Sequence, residues 1–234
     1  MRTIIGIGAY SLILLLGSVS PANADEMTAA YPAPASFEQF RFANSADEIA
    51  LARTAAPASI SNDAEILTLG DRGYETAVKG KNGFVCLIQR SWVNPFDDTE
   101  FWNPKIRVSL CLNPAAAVSV LPVYLERTRW VLSGMSKSEM VERTSAAIAA
   151  HAIPDPLPGS MSYMMSKEGY IHDNVHHWYS HVMFFTPHTD GEAWGANAAE
   201  SPVFSQDVGP QPITFFFVVV PKWSDGSLVF PEVH

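Results

Sequence analysis

Apolar positions along the chain change their period several times, and each change predicts a change of secondary structure. From Ser45 the spacing is helical. Ser45 stands as an N-cap, Glu48 completes a capping box, and Ile49, Leu51 and Ala52 form an apolar side that ends before Pro57. The next runs are extended. AEILTLG, YETAVKG and GFVCLIQRSW, separated by the turns GDRG and GKNG, predict a meander of three antiparallel strands. VNPFDDTEFWNPK predicts a long loop with an acidic, solvated centre, and IRVSLCL a further strand. Asn113-Pro114 opens a second helical stretch that Gly134 closes, with Pro122 kinking or splitting it. Ser136 and Glu139 form a capping box for SKSEMVERTSAAIAAHA. After the rigid connector IPDPLPGS the chain is extended again in SMSYMMS, WYSHVMFFTP and ITFFFVVVP. Phe215 to Val220 is apolar on both faces, as a central strand requires. The intervening HTDGEAWGANAAESPVFSQDVGPQ predicts a long polar loop, a place where function often sits. Strands, then helices, then strands predict an α+β fold: an antiparallel sheet with two or three helices inserted mid-chain.

The N-terminus predicts a destination. MRTIIGIGAYSLILLLGSVSPANA has one basic residue, a short apolar run and a small-x-small ending, the pattern of a cleaved export signal. Cleavage after Ala24 leaves residues 25–40 as an Ala- and Pro-rich flexible leader and residues 41–234 as a single α+β domain. The apolar run is too short to anchor the chain, so no membrane span is expected in the mature protein. The expected compartment is the bacterial periplasm or the cell exterior.

Charge narrows the partners. Without residues 1–24 the chain keeps 14 basic against 24 acidic residues, a formal charge of −10. It has no basic run, which argues against nucleic acid and against anionic membrane surfaces. With apolar residues at 47% and charged ones at 17%, the chain can bury a core and is not disordered as a whole. Its two cysteines, Cys86 and Cys111, lie in separate β-type runs. In an oxidising compartment they are expected to bridge if those runs pair as antiparallel neighbours. Two buried thiols, or a reactive thiolate, are the alternatives.

Candidate chemistry concentrates in YIHDNVHHWYSHVMFFTPH, which holds five of the seven histidines. As a helix, His172 and His176 would stand one turn apart like the zincin pair, but Asp173 replaces the usual Glu and the neighbours are poor helix formers. As a strand from Trp178 to Thr186, alternation puts Tyr179, His181, Met183 and Phe185 on one face. His177 and His181 are then about 13 Å apart, too far to share one ion along a straight strand. A metal site would therefore combine His181 with ligands from the bent loop, His176 or His177, or from a neighbouring strand. Zinc, copper or nickel would be the fitting ions. Asp173, Tyr179, His188, Asp190 and Glu192 are accessory candidates, the last three at the far end of the strand. The bland alternative is a set of histidines satisfied by carboxylates and backbone. No nucleophile elbow, phosphate loop or dinucleotide fingerprint is present.

The motifs GFVCL-x-x-RSW, SYMMSK and HW-x-x-H-x-MFF, with KWSDGS, resemble a family of exported bacterial α+β proteins to which no activity is assigned. The resemblance covers most of the mature chain and implies export, not a reaction. Its pattern holds a further histidine where this chain has Tyr179, which tells against a fixed metal site. The leading expectation is an exported protein that binds a small ligand or a metal through His176, His177 and His181. A hydrolase using the same histidines, with Asp173 or Glu192 as partner, is the alternative. An envelope structural or interaction protein without a site is the third.

Overall fold

The structure, a computed structural model, describes residues 30–175 and 177–230. The export signal with its cleavage after Ala24, the first residues of the leader, and His176 lie outside the described residues. Among the described residues eight strands form one mixed, mostly antiparallel sheet, accompanied by five α-helices, an α+β arrangement. The strands are β1 (Glu65–Gly70), β2 (Gly73–Val78), β3 (Val85–Gln89), β4 (Val108–Leu112), β5 (Met161–Met164), β6 (His181–Pro187), β7 (Val203–Asp207) and β8 (Ile213–Val219). Their order across the sheet is β2-β1-β3-β4-β5-β6-β8-β7. Helices α1 (Ser45–Arg53) and α2 (Ala58–Ser61) precede the sheet. Helices α3 (Pro114–Ser119), α4 (Leu121–Leu132) and α5 (Lys137–Ala149) lie between β4 and β5. The helices are thus more numerous than the two or three expected, and two of them come before the first strand.

The first three strands do not form the simple meander expected. β1 and β2 make an antiparallel hairpin, but β3 pairs with β1 in parallel. Burial explains the choice. β2 exposes Glu75, Thr76 and Ala77 and suits an edge, whereas Ile66, Leu67 and Leu69 of β1 are buried and need neighbours on both sides. The crossover returns past the start of β1 so closely that a Cβ at Gly80 would run into the backbone of Glu65.

Two faces of the sheet are covered differently. Ile66, Cys86, Ile88 and Cys111 pack with Ala52, Ala55 and Ala56 from α1 and the turn after it. On the opposite face Leu67, Leu87, Leu110 and Leu112 pack with Ala116, Leu121, Tyr124 and Trp130 from α3 and α4. Cys86 stands opposite Cys111 in the antiparallel β3–β4 register, and the two form a disulfide inside the first of these layers.

Local signals account for the helix ends. Ser136 accepts from the Glu139 N–H while Glu139 bonds back to the Ser136 N–H, the capping box expected for α5. Pro122 splits the preceding stretch, falling in the first turn of α4, and Gly134 closes it at φ 78°. The cap of α1 differs from expectation. Asn44, not Ser45, accepts from the Asp47 N–H at 2.9 Å. Glu48 is released from capping and buried, where it accepts from Arg90 Nη2 at 2.8 Å and from the Leu69 N–H at 3.2 Å. Arg90 also donates to the carbonyls of Phe40 and Ile88, so its buried charge is fully engaged.

Three segments expected to be loose are built into the body. Within the leader, residues 37–40 form a 3-10 turn, Phe40 is buried, and Tyr31 packs against the core. The acidic loop after β3 buries Phe96, Glu100, Phe101, Trp102 and Asn103. Aromatic side chains in a loop carry enough apolar area to order it. The long polar loop after β6 holds a 3-10 turn, Glu192–Trp194, and the edge strand β7. Asn197 caps that edge, donating to the Ser205 carbonyl at 3.1 Å and accepting from its N–H at 3.0 Å. An edge closed in this way cannot recruit another strand at Ser205.

Candidate functional site

The histidines separate into different environments. His181 opens β6 and is buried, at 5% exposure, with its ring 4.7 Å from Trp178 and 5.7 Å from Phe217. Its Nδ1 lies 2.7 Å from the Tyr179 carbonyl, so Nδ1 carries the proton and donates. Burial pushes its pKa down to about 4, against a smaller upward pull from the Tyr179 carbonyl. The imidazole is therefore neutral in ordinary buffers. His177 is exposed, with its ring 5.6 Å from Trp223. His177 and His181 both border one cavity of about 30 Å³, room for a single water. Tyr179 is exposed beside Phe230, at 5.2 Å. Among the described residues no group of three or more His, Cys, Asp or Glu side chains is placed to hold a metal ion. The expected metal set of His176, His177 and His181 gains no support: His176 lies outside the described residues, and His177 and His181 are joined by no third His, Cys, Asp or Glu among them.

The accessory residues also disperse. His188 Nδ1 lies 3.4 Å from Asp207 Oδ1, near Asp190 and Ser205 at a polar cavity of about 440 Å³. Glu192 sits in the 3-10 turn Glu192–Trp194 and is exposed. Asp173, half-buried, is the hub of a network that the sequence did not announce. Its carboxylate accepts from the Tyr170 hydroxyl, from the Tyr31 hydroxyl at 2.6 Å, from Asn103 Nδ2 at 3.1 Å and from Lys105 at 3.2 Å. The Tyr170 hydroxyl, then that of Tyr31, holds the Asp173 carboxyl well below the usual carboxylate range. Beside it Glu100 accepts from the Asp173 N–H, and its Oε1 lies 3.1 Å from His172 Nδ1. This network ties residues 31, 100–105 and 170–173 together. The acidic centre of the 93–105 loop and the Tyr170-x-x-Asp173 pair were the only local hints.

What the fold does gather is a cleft. Helices α3 and α4 pack on the β1–β3–β4 part of one sheet face, and the β6–β8 part of that face borders a cleft beside them. The cleft has a volume of about 560 Å³. Met183, Phe215 and Phe217 come from its strands, Trp178 and His181 from the entry to β6, and Tyr124 from α4. The loop after β3 supplies Asp97, Asp98 and Thr99, and Gln89 and Gln206 contribute amides from β3 and β7. Asp98 is fixed at the N-terminal side of that loop. It accepts from Asn94 Nδ2 at 2.8 Å and from the Glu100 N–H at 2.7 Å. Beneath the loop Arg127 donates to the Val93 and Asn94 carbonyls, both at 3.0 Å, and lies 4.1 Å from the Phe96 ring centroid. Burial pulls the Arg127 pKa down to about 10. Such a cleft can hold a drug-sized molecule, mostly by apolar contact, with a few polar groups to orient it.

Of the sequence candidates among the described residues, only His181 lines this cleft, with Trp178 and Met183 from the same run. Neither Asp173 nor Glu192 is hydrogen-bonded to a histidine among the described residues. Compared with known proteins, the chain matches no family model, no curated protein and no solved structure.

Proposed function

We propose that this is an exported binding protein that holds a small, largely apolar molecule in the cleft between the β6–β8 face and the 93–99 loop. One observation carries the reading: about 560 Å³ of space with aromatic walls converges on a buried, neutral imidazole. That volume falls within the range of about 300–1,000 Å³ typical of ligand sites. The export half of the reading rests on the N-terminal signal pattern. It is supported by the Cys86–Cys111 disulfide, and no helix among the described residues is long and apolar enough to cross a membrane.

A screen of small aromatic and aliphatic fragments by ligand-observed NMR tests the proposal. Cleft binders are expected, and Thr99→Trp, at an exposed lining position, is expected to displace them by filling the cleft. If no fragment binds, or if Thr99→Trp leaves every hit untouched, the proposal fails.

A further inference from the structure

We propose that the ligand of this cleft is an organic cation: an ammonium or amidine group with N–H donors, carried on a flat apolar body. The inference rests on the cleft being a ligand site and goes on to its chemical class. Three independent features of the lining agree on it.

The first is the wall. Trp178 and Phe217 meet with centroids 5.8 Å apart at 89°, and Phe215 and Phe217 at 6.3 Å and 79°. The three rings pack edge to face against one another and stay half-buried, so part of each is left toward the cleft that they line. Ring faces attract cations, the more so when water is excluded.

The second is the charge of the rim. Asp97 and Asp98 line the cleft, and no lysine or arginine does. Arg127 lies beneath the loop and offsets part of this field, so a preference between ligands is a better readout than affinity alone. Two carboxylates at the mouth oppose an anionic ligand directly.

The third is the polar group at the strand entry. Because Nδ1 of His181 donates to the Tyr179 carbonyl, Nε2 holds a lone pair. Among the described residues Nε2 has no hydrogen-bond partner. Nε2 keeps some solvent exposure on this cleft-lining side chain, so a ligand N–H can reach it as a free acceptor. Gln89 adds a second acceptor, since its Nε2 already donates to Asn94 Oδ1 at 2.9 Å and its side-chain oxygen remains. The uncharged state of the imidazole removes the repulsion that a cation would otherwise meet.

Three probes with one indole body separate the classes: tryptamine (cationic), tryptophol (neutral) and indole-3-propionate (anionic), titrated by calorimetry at low salt. Tryptamine is expected to bind at least about tenfold more tightly than tryptophol, and indole-3-propionate most weakly. The double change Asp97→Asn and Asp98→Asn is expected to abolish the preference for tryptamine over tryptophol. His181→Phe, which removes the acceptor and keeps an apolar ring, should weaken tryptamine and tryptophol alike, because both offer a donor. Equal binding of the three probes, or a preference that survives the Asp97/Asp98 change, overturns the cation class. If the fragment screen finds cleft binders and they are neutral or anionic, the class is wrong and the cleft reading stands. If the screen finds no binder at all, both fall.

Discussion

His181 makes the stability of the protein depend on pH in a calculable way. In the folded chain its pKa is pushed down to about 4 by burial. In the unfolded chain it returns to about 6.5. The gap is worth about 3 kcal/mol. The sign follows from proton binding. Between the two values the unfolded chain holds a proton that the folded chain refuses. Acid therefore favours unfolding. The contribution is fully present above about pH 6.5, erodes as pH falls, and is gone below about pH 4. From about pH 7 to pH 5 the loss from this one residue is about 2 kcal/mol. At 5% exposure little solvent screens the ring.

The assay is urea unfolding at several pH values on the wild type and on His181→Phe. Phe keeps the aromatic packing against Trp178 and Phe217 and cannot titrate. It leaves the Tyr179 carbonyl without its donor and lowers stability at every pH. That offset is constant, so the difference in slope between the two proteins isolates the imidazole. The wild type is expected to lose about 2 kcal/mol more than the variant between about pH 7 and pH 5. Parallel curves would refute the argument, as would an imidazole NMR signal that titrates near the free value in the folded protein.

Three further outcomes test other parts of the fold. Removing one partner of the buried Arg90–Glu48 pair, as in Glu48→Leu, leaves a charge at 0% exposure and should cost about 3–5 kcal/mol in urea unfolding. Adding Arg90→Met should restore most of that loss, and a double variant no better than the single one would contradict the pair's role. The Cys86–Cys111 bridge closes a separation of 25 residues, so its removal by paired Ala substitutions should cost about 3.5 kcal/mol by loop entropy. Unfolded, unreduced wild type should show no thiol to a labelling reagent; a full complement of labelled thiols would exclude the bridge. Tyr31→Phe takes away one of the hydroxyls that hold Asp173 ionised, so the Asp173 pKa should rise by NMR and residues 30–40 should become more open to protease; no change in either would show that the tie is unimportant.

The features that could be read from the chain are those decided within a few residues. The Ser136–Glu139 box, the break at Pro122 and the stop at Gly134 each depend on near neighbours. The disulfide needed one more step, that two apolar runs pair antiparallel, and the β3–β4 register supplies it. What could not be read depends on distant partners. Glu48 has the spacing of a capping residue, and only the arrival of Arg90 from 42 positions away turns it inward. The parallel β1–β3 pairing follows from which strand has polar outer positions and which needs cover on both sides. Local alternation does not state that choice. The 93–105 loop reads as acidic and solvated because charge is conspicuous in sequence, while its order comes from Phe96, Phe101 and Trp102.

The candidate site shows the same division in a sharper form. Five histidines in one short run draw attention to metal, yet period-two alternation allows only one of each adjacent pair to face the core. β6 spends that allowance on His181, Met183 and Phe185. The cleft around His181 is then completed by β3, β7, β8, α4 and the loop after β3, segments separated by up to about half the chain. None of them carries a motif of its own. The cleft sits where it does because α3 and α4 pack on the β1–β3–β4 half of one face, and among the described residues no α-helix follows β5. An aromatic sheet face that lacks a helical lid among the described residues must be covered by loops, water or a ligand. Here the loop after β3 covers it only partly, and the space left between is where a small molecule would complete the core.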